Sequence, residues 1–187
     1  MGGRGLIGVL VSGRGTNLQA LLEEGLPVVA VASNVAAAPA LQRAEAAGVA
    51  TAVFDLSDYP SREARDTAMA EWLADSGTEL VVCAGYMHLL TPSFLERFPA
   101  INVHPSLLPD FPGTRAVEEA LAAGVDETGV TVHFVDEGVD TGPVILQERV
   151  GVRPDDTPTT LHARLQQVEH RLLPKAVSLY LAGALRS

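Results

Sequence analysis

Short apolar runs alternate with amphipathic segments along the first half of the chain. Four of these runs are almost continuously apolar: LIGVLV (6–11), VVAVAS (28–33), ATAVF (50–54) and ELVVCAG (79–85). Continuous apolar runs are typical of parallel strands that are buried on both faces of a sheet. The pattern therefore predicts four parallel strands in an α/β protein.

The segments between these strands have the spacing and the end signals of helices. Helices are predicted over 16–24, 39–47 and 61–77, and each ends at or just before a glycine. The side chain of Thr16 or Asn17 is expected to cap the first of them. Strands and helices that alternate at these lengths are typical of right-handed βαβ units in a doubly wound sheet.

The second half of the chain has a different pattern, with a proline-rich loop after its first strand. The elements that it predicts are, in order, a strand at 100–104, a loop at 105–115, a helix at about 114–123, and two β-patterned runs at 128–138 and 142–150. Glycines between the two runs favour a hairpin-like connection. A long helix then begins at Thr157 and Pro158, and Pro174 predicts a bend in it.

Together these elements predict one α/β domain with a doubly wound, mostly parallel sheet. Its N-terminal half, at about 5–99, is Rossmann-like and is expected to bind a mononucleotide. Its C-terminal half, at about 100–187, adds the β-hairpin and the long helix. The chain has 187 residues, a length that fits a single domain with a full core.

Composition and charge narrow the classes of partner. The chain has 13 Lys and Arg against 23 Asp and Glu, a net charge of −10 that would repel a nucleic acid. Its apolar runs are shorter than the roughly 20 residues of a membrane span, and the first is too short for a secretory signal. The single cysteine, Cys83, cannot form an internal disulfide. We expect a cytoplasmic protein, a monomer or a homodimer, that binds neither nucleic acid nor a membrane.

The segment SGRGTN (12–17) directly follows the first predicted strand and opens the first helix. Its glycines let the backbone approach a ligand, and the N–H groups at a helix start bind anions. The third glycine of a dinucleotide motif is replaced by Leu18, and the second strand ends in Ser-Asn rather than in an acid. A single phosphate fits this segment better than a dinucleotide, and a glycine turn without a ligand is the alternative.

Asn102 and His104 lie two residues apart at the end of a predicted strand, so their side chains share one face at the carboxyl edge of the sheet. An amide beside an imidazole can stabilise an oxyanion and move a proton, as acyl transfer to an amine requires. Asp140, in the hairpin connection, would orient the imidazole if the fold brings the two together. The alternatives are a polar pair at a strand end and an acid that satisfies a turn.

The sequence predicts neither a metal site nor a serine nucleophile. Its five histidines are irregularly spaced, and the motifs HExxH, CxxC and GxSxG do not occur.

Five ordered segments of the chain resemble the phosphoribosylglycinamide formyltransferases, a family of small folate-dependent enzymes of purine biosynthesis. They are SGRGTNLQAL (12–21), AGYMHLLTP (84–92), INVHPSLLPDFPGT (101–114), GVTVHFVDEGVDTGPVILQ (129–147) and QQVEHRLLP (166–174). The likeness covers about residues 5–182. It implies transfer of a formyl group from 10-formyltetrahydrofolate, a co-substrate, to the amine of glycinamide ribonucleotide, without a metal.

The resemblance also implies a role for particular residues. Catalysis falls to Asn102, His104 and Asp140, so the C-terminal half, at about 100–187, would be the folate-binding and catalytic half. The positions that would bind the ribonucleotide are Gly15, Thr16, Asn17 and Glu169, with the phosphate near the helix start. The positions that would contact the folate are Arg62, Met87, His88, Leu89, Leu90, Asn102, Val139 and Asp140.

Both substrates are anions, although the protein is acidic. We expect Arg14, Arg62 and Arg115 to supply a local positive field. Asp110 and Arg115 stand at points where the family pattern varies, so the resemblance assigns them no contact.

Two related enzyme families share the SLLP segment. Methionyl-tRNA formyltransferase would need an added C-terminal domain and a basic surface, and formyltetrahydrofolate hydrolase would need an N-terminal regulatory domain, so the chain length argues against both. A non-catalytic mononucleotide-binding module explains SGRGTN but leaves Asn102, His104 and Asp140 unrelated. A nicotinamide dehydrogenase is disfavoured by the missing glycine. The hydrolase and the binding module remain the alternatives.

Overall fold

The computed structural model describes residues 5–185. Within that range the strands are β1 (Ile7–Val11), β2 (Val28–Ser33), β3 (Ala50–Val53), β4 (Leu80–Cys83), β5 (Ala100–His104), β6 (Glu127–Phe134) and β7 (Val144–Gly151). The helices are α1 (Thr16–Glu23), α2 (Pro39–Ala46), α3 (Arg62–Asp75), α4 (Pro92–Arg97), α5 (Ala116–Ala122) and α6 (Pro158–Leu181), with a short 3-10 turn at Leu56–Asp58.

All the strands belong to one sheet, in the order β3-β2-β1-β4-β5-β6-β7. The first five are mutually parallel, and β6 and β7 add an antiparallel hairpin at one edge. The predicted α/β fold with a mostly parallel sheet is therefore confirmed. Because the chain leaves β1 toward β2 and later returns to β4 on the other side, a crevice opens between β1 and β4, where such folds bind ligands.

Helices cover both faces of the sheet, which explains the continuous apolar runs. Ile7, Val9 and Val11 of β1 pack on the face covered by α1, α2 and α6. Leu10 of the same strand packs on the opposite face, together with Met69 of α3. A strand with apolar neighbours on both sides cannot show the alternation of a half-exposed strand.

Most predicted elements are present, with three differences. The helix α1 is not capped by Thr16 or Asn17, because both residues lie within its first turn and Gly15 takes the N-cap position with φ +75°. The short helix α4 and the 3-10 turn were not predicted from the sequence. The long helix α6 begins after Thr157 as predicted, with a capping box to Thr160. Its helical backbone continues through Pro174, where a bend stays a prediction.

No helix between residues 5 and 185 is both long enough and apolar enough to cross a membrane.

Candidate active site

A cavity of about 720 Å³ opens at the carboxyl ends of β1, β4 and β5. Its walls come from the segments after β1 (13–17) and β4 (84–89), the end of β5 (102–105), the start of α5 with the loop before it (113–118), the hairpin connection (139–140) and α6. The cavity thus lies at the crevice that the strand order predicts.

Most of the residues singled out in the sequence line this cavity. They are Gly15, Thr16, Asn17, Met87, His88, Leu89, Asn102, His104, Val139, Asp140 and Glu169. Two of the predicted folate contacts lie outside it. Arg62 is the exposed first residue of α3, and Leu90 is buried among the apolar side chains between the sheet and α3.

The arginines expected to supply a positive field are also separated. Arg14 lines the cavity, whereas Arg115 is an exposed residue at the N-cap of α5 and lies outside the lining. Asp110 is exposed and lies outside the lining too. Of Arg14, Arg62 and Arg115, only Arg14 borders the cavity within the described residues 5–185.

Asn102, His104 and Asp140 meet at the centre of the cavity wall. The Nδ1 atom of His104 lies 3.3 Å from Oδ2 of Asp140, and Nδ2 of Asn102 lies 3.4 Å from Oδ1 of the same carboxylate. The two strand residues share a face at the end of β5, and the connection between β6 and β7 brings Asp140 over that edge. The convergence on which the predicted chemistry depends is present.

The second nitrogen of His104 contacts the proline-rich loop. Nε2 lies 2.8 Å from the carbonyl oxygen of Phe111. A carbonyl accepts but never donates, so Nε2 carries a proton. The ring is therefore held between a carboxylate on one side and a backbone acceptor on the other.

Asp140 is held as a carboxylate by its neighbours. Burial by itself would raise the pKa of Asp140, but hydrogen bonding with His133, the N–H of Gly113 and the charge of His104 bring that pKa below its ordinary value. The Gly113 N–H donates to Oδ2 over 2.8 Å. Asp140 itself has φ +54°, an unusual backbone conformation for a non-glycine residue. In this conformation its side chain contacts both Gly113 and His104.

His133 is a site residue that the sequence reasoning missed. It lies on β6 directly opposite Asn102, and its Nε2 atom is 3.2 Å from Nδ2 of Asn102 and 3.6 Å from Oδ1 of Asp140. Its Nδ1 atom donates to the Phe134 carbonyl. Nε2 thus accepts from Asn102 when the ring is neutral and can donate to Asp140 when the ring is protonated. A histidine inside the apolar run VTVHF was a signal, but its partner depends on the register of β5 and β6.

These contacts direct the amide of Asn102. Its two N–H groups face His133 and Asp140, and the contact to Asp140, at 3.4 Å, is long. Donation to a ligand oxygen would therefore exchange the weaker of two existing contacts.

The proline-rich loop is anchored to the hairpin behind it. Thr131 of β6 donates its hydroxyl to the Ser106 carbonyl over 2.7 Å and accepts from the Leu108 N–H over 3.1 Å. Gln147 of β7 donates to the same hydroxyl and to the Leu108 carbonyl. Because these bonds are buried or partly buried, they fix the start of the loop that carries Phe111 and Gly113.

The other end of the cavity is built around the start of α1. Gly15 adopts φ +75°, and a Cβ atom there would lie 2.5 Å from Cβ of Ala40, so both its conformation and its space require glycine. In the first turn of the helix, Nδ2 of Asn17 donates to Oε2 of Glu169 over 3.0 Å, and both side chains are buried. Oδ1 of Asn17 is buried without a partner among residues 5–185, which leaves an acceptor beside the cavity.

The described part of the chain, residues 5–185, contains no group of three or more His, Cys, Asp or Glu side chains arranged to hold a metal ion.

An amide, an imidazole and a carboxylate thus meet at the carboxyl edge of a mostly parallel sheet, an arrangement that can stabilise an oxyanion and move a proton. Residues 6–177 match the family described as formyl transferase, and the chain belongs to that family. A solved structure of glycinamide ribonucleotide transformylase 1 from Symbiobacterium toebii is 47% identical, with a TM-score of 0.95, and the match covers 100% of this chain and 92% of that one.

Two further relatives differ in length. The phosphoribosylglycinamide formyltransferase of Mycobacterium tuberculosis is 45% identical over 176 residues, which are 91% of this chain and 82% of that protein. The trifunctional purine biosynthetic protein adenosine-3 of Bos taurus is 44% identical over 188 residues, which are 96% of this chain and 19% of that protein. The chain thus spans about a fifth of the length of that trifunctional relative.

Proposed function

We propose that this protein transfers the formyl group of 10-formyltetrahydrofolate to the primary amine of glycinamide ribonucleotide, a step of de novo purine biosynthesis. The observation that carries the proposal is the convergence of Asn102, His104 and Asp140 on one cavity wall. Membership of the formyl transferase family supports it, and so do two relatives named phosphoribosylglycinamide formyltransferase, which are 38% and 45% identical to this chain.

The cavity has a polar end and an apolar end, which suit the two substrates. At the polar end, the N–H groups at the start of α1 and the Asn17–Glu169 pair would bind the phosphate and the hydroxyl groups of the ribonucleotide. At the apolar end, the exposed side chains of Met87, Leu89 and Val139 line the wall and would contact the folate. The reacting groups would meet between these ends.

The side chains then supply what formyl transfer needs. The amine nitrogen bonds to the formyl carbon, and negative charge collects on the formyl oxygen. An N–H of Asn102 would stabilise that oxygen, and so would the Nε2–H of His104 once it exchanges the Phe111 carbonyl for it. The bond from the formyl carbon to N10 of the folate then breaks. His104, oriented by Asp140, would carry the proton that the amine loses toward the departing N10.

The test uses the purified protein, both substrates and a chelator. We expect equal amounts of formylated ribonucleotide and tetrahydrofolate, and no formate when the ribonucleotide is omitted. Formate released without the ribonucleotide would instead indicate the hydrolase. Binding of either substrate without turnover would indicate a binding module and contradict the proposal.

A further inference from the structure

An ion pair is completely buried near the start of α3, outside the catalytic set. Arg65 and Asp66 are both 0% exposed. The Nε and Nη2 atoms of Arg65 donate to Oδ1 of Asp66 over 2.9 and 2.7 Å. Removing two charges from water carries a large desolvation cost, so a buried pair of this kind is weak evidence for stability.

Both members of the pair contact the irregular segment between β4 and α4. Oδ2 of Asp66 accepts from the Thr91 N–H over 2.8 Å. Nη1 of Arg65 contacts Nδ1 of His88, and its guanidinium carbon lies 6.0 Å from the centre of the Tyr86 ring. The pair therefore contacts the segment near both of its ends.

The contact between Arg65 and His88 determines the state of the imidazole. A guanidinium only donates hydrogen bonds, so Nδ1 of His88 must be the acceptor and the proton of the neutral ring sits on Nε2. A protonated ring would have no acceptor to offer and would place a second positive charge against Arg65. Geometry thus favours a neutral ring in one tautomer.

The proton on Nε2 continues into a chain of polar contacts toward β1. Nδ2 of Asn34 lies 3.4 Å from Nε2 of His88, and Oδ1 of Asn34 accepts from Oγ of Ser12 over 2.5 Å. Asn34 as placed thus turns a second donor toward the ring, whereas a neutral imidazole has only one acceptor nitrogen. The contact of Arg65 with Nδ1 is the shorter of the two, so a proton on Nε2 requires the Asn34 amide to be turned over, with its oxygen toward the ring and its nitrogen toward Ser12. Oγ of Ser12 also accepts from the Met87 N–H over 2.9 Å, which returns the chain of contacts to the same segment.

This segment forms the apolar wall of the cavity. Tyr86, Met87, His88 and Leu89 all line it, and the side chains of Met87 and Leu89 are 60% and 48% exposed. His88 stands between them in sequence, so its anchoring sets where both apolar side chains lie.

We propose that Arg65 is a positioning residue that acts through His88, holding the ring in its Nε2-protonated neutral form so that Met87 and Leu89 are presented to the folate. The proposal rests on the proposed function, because it assigns the folate to this wall. It assigns Arg65 no contact with substrate.

The electrostatics of His88 agree with this arrangement. Burial and the charge of Arg65 lower the pKa of His88, and the more weakly acting Asp66 and Asp55 raise it, so that the pKa lies below its ordinary value. Besides these groups, Tyr86 packs against the ring edge to face. When acidification protonates His88, the contact with Arg65 is lost. We therefore expect the KM for the folate to rise at low pH before the KM for the ribonucleotide does.

The test replaces the pair by neutral residues of similar size. Arg65→Met with Asp66→Asn removes both charges, and the new amide oxygen can still accept from the Thr91 N–H. We expect the pKa of His88 to rise toward its ordinary value, because the lowering effect of the Arg65 charge exceeds the raising effect of Asp66, while burial of the ring remains. The KM for 10-formyltetrahydrofolate should rise about tenfold, with little change in kcat or in the KM for the ribonucleotide.

The measurements are NMR of labelled histidine, assigned with His88→Gln, and steady-state kinetics with each substrate varied. Arg149→Met with Glu127→Gln is the matched control, because it removes an exposed pair on the β6–β7 hairpin. The control should change neither the pKa of His88 nor either KM.

Two results would overturn the proposal. One is a folded Arg65→Met/Asp66→Asn protein in which the tautomer and pKa of His88 and the folate KM are unchanged. The other is a wild-type His88 whose neutral ring carries its proton on Nδ1, a result that needs no variant to fold. Because the NMR measurement does not depend on turnover, failure of the proposed reaction would leave this test readable.

Discussion

At the scale of single residues, Asp140 joins three parts of the chain at one carboxylate. It contacts His104 on β5, His133 on β6 and the backbone of Gly113 in the proline-rich loop. An uncharged replacement would keep the size of the side chain but lose the charge that these three donors face. Replacing Asp140 by an uncharged residue therefore tests whether it acts in catalysis or only stabilises the turn.

Asp140→Asn should keep the fold and lower kcat by about 10²–10⁴, because an amide cannot balance the charge on His104 and can present an N–H to its Nδ1 atom. Steady-state kinetics and circular dichroism would measure both effects. Asp136→Asn is the matched control, since Asp136 is an exposed acid of the same connection that bonds to Gly138 and Thr141. An unchanged rate in the first variant would return Asp140 to a turn role.

The lowered pKa of Asp140 also predicts how stability depends on pH. A carboxyl group with a lower pKa in the folded than in the unfolded protein stabilises the fold above its unfolded pKa, here near 3.8. That contribution is lost as the pH falls through the folded pKa. We expect the free energy of unfolding to fall more steeply for the wild type than for Asp140→Asn between about pH 5 and pH 3. Urea unfolding at each pH would measure it, and an equal pH dependence of the free energy of unfolding in the two proteins would contradict the expectation.

At the scale of elements, the helix α1 has a glycine with positive φ at each end. Gly15 has φ +75° and stands against Ala40 at the cavity, whereas Gly25 has φ +67° and open space around it. The same substitution at the two positions thus separates the cost of the backbone conformation from the cost of the close contact. It also separates the end of the helix that borders the cavity from the end that does not.

Gly25→Ala should lower the free energy of unfolding by about 1 kcal/mol, the cost of a Cβ in the left-handed region. Gly15→Ala carries the same cost and adds overpacking of about 1–3 kcal/mol against Ala40. It should also raise the KM for the ribonucleotide, because the N–H groups at the helix start shift. Urea unfolding and kinetics would measure these changes. An equal loss of unfolding free energy in the two variants would mean that α2 shifts away from the new Cβ atom at no measurable cost.

At the scale of the whole molecule, the cavity joins groups from both halves of the sheet. The start of α1 and Glu169 of α6 form one end, and the residues after β4 form the other, with β5 between them. Binding and reaction can therefore be disturbed separately. The expected division into a nucleotide-binding half at 5–99 and a reacting half at 100–187 stays a prediction, and Glu169 would contribute to binding from the second half.

His104→Ala should lower kcat by about 10²–10³ and change the dissociation constant of the ribonucleotide by less than about threefold. Glu169→Gln should instead weaken ribonucleotide binding by about tenfold and change kcat little, because a charged acceptor at the polar end of the cavity is lost. Calorimetry and single-turnover kinetics would separate the two. A large loss of ribonucleotide affinity in His104→Ala would mean that the phosphate lies elsewhere.

Much of this arrangement was predictable because its signals are local. Continuous apolar runs indicate the buried parallel strands, and Thr157 followed by Pro158 indicates the start of the long helix. The prolines after β5 indicate a loop, because neither a helix interior nor a central strand tolerates them. Asn102 and His104 could be assigned to one face because strand residues two apart always share one. The motif order was enough to indicate the family.

What the sequence alone could not determine is which distant side chains meet. The contact of His133 with Asn102 depends on the register of β5 and β6, and the burial of Leu90 depends on which way an irregular segment turns. The contact between Arg65 and His88 depends on how α3 packs beside that segment. Periodicity and motifs act over a few neighbouring residues, whereas these contacts join parts of the chain that only the packed sheet and its helices bring together, so tertiary structure decided them.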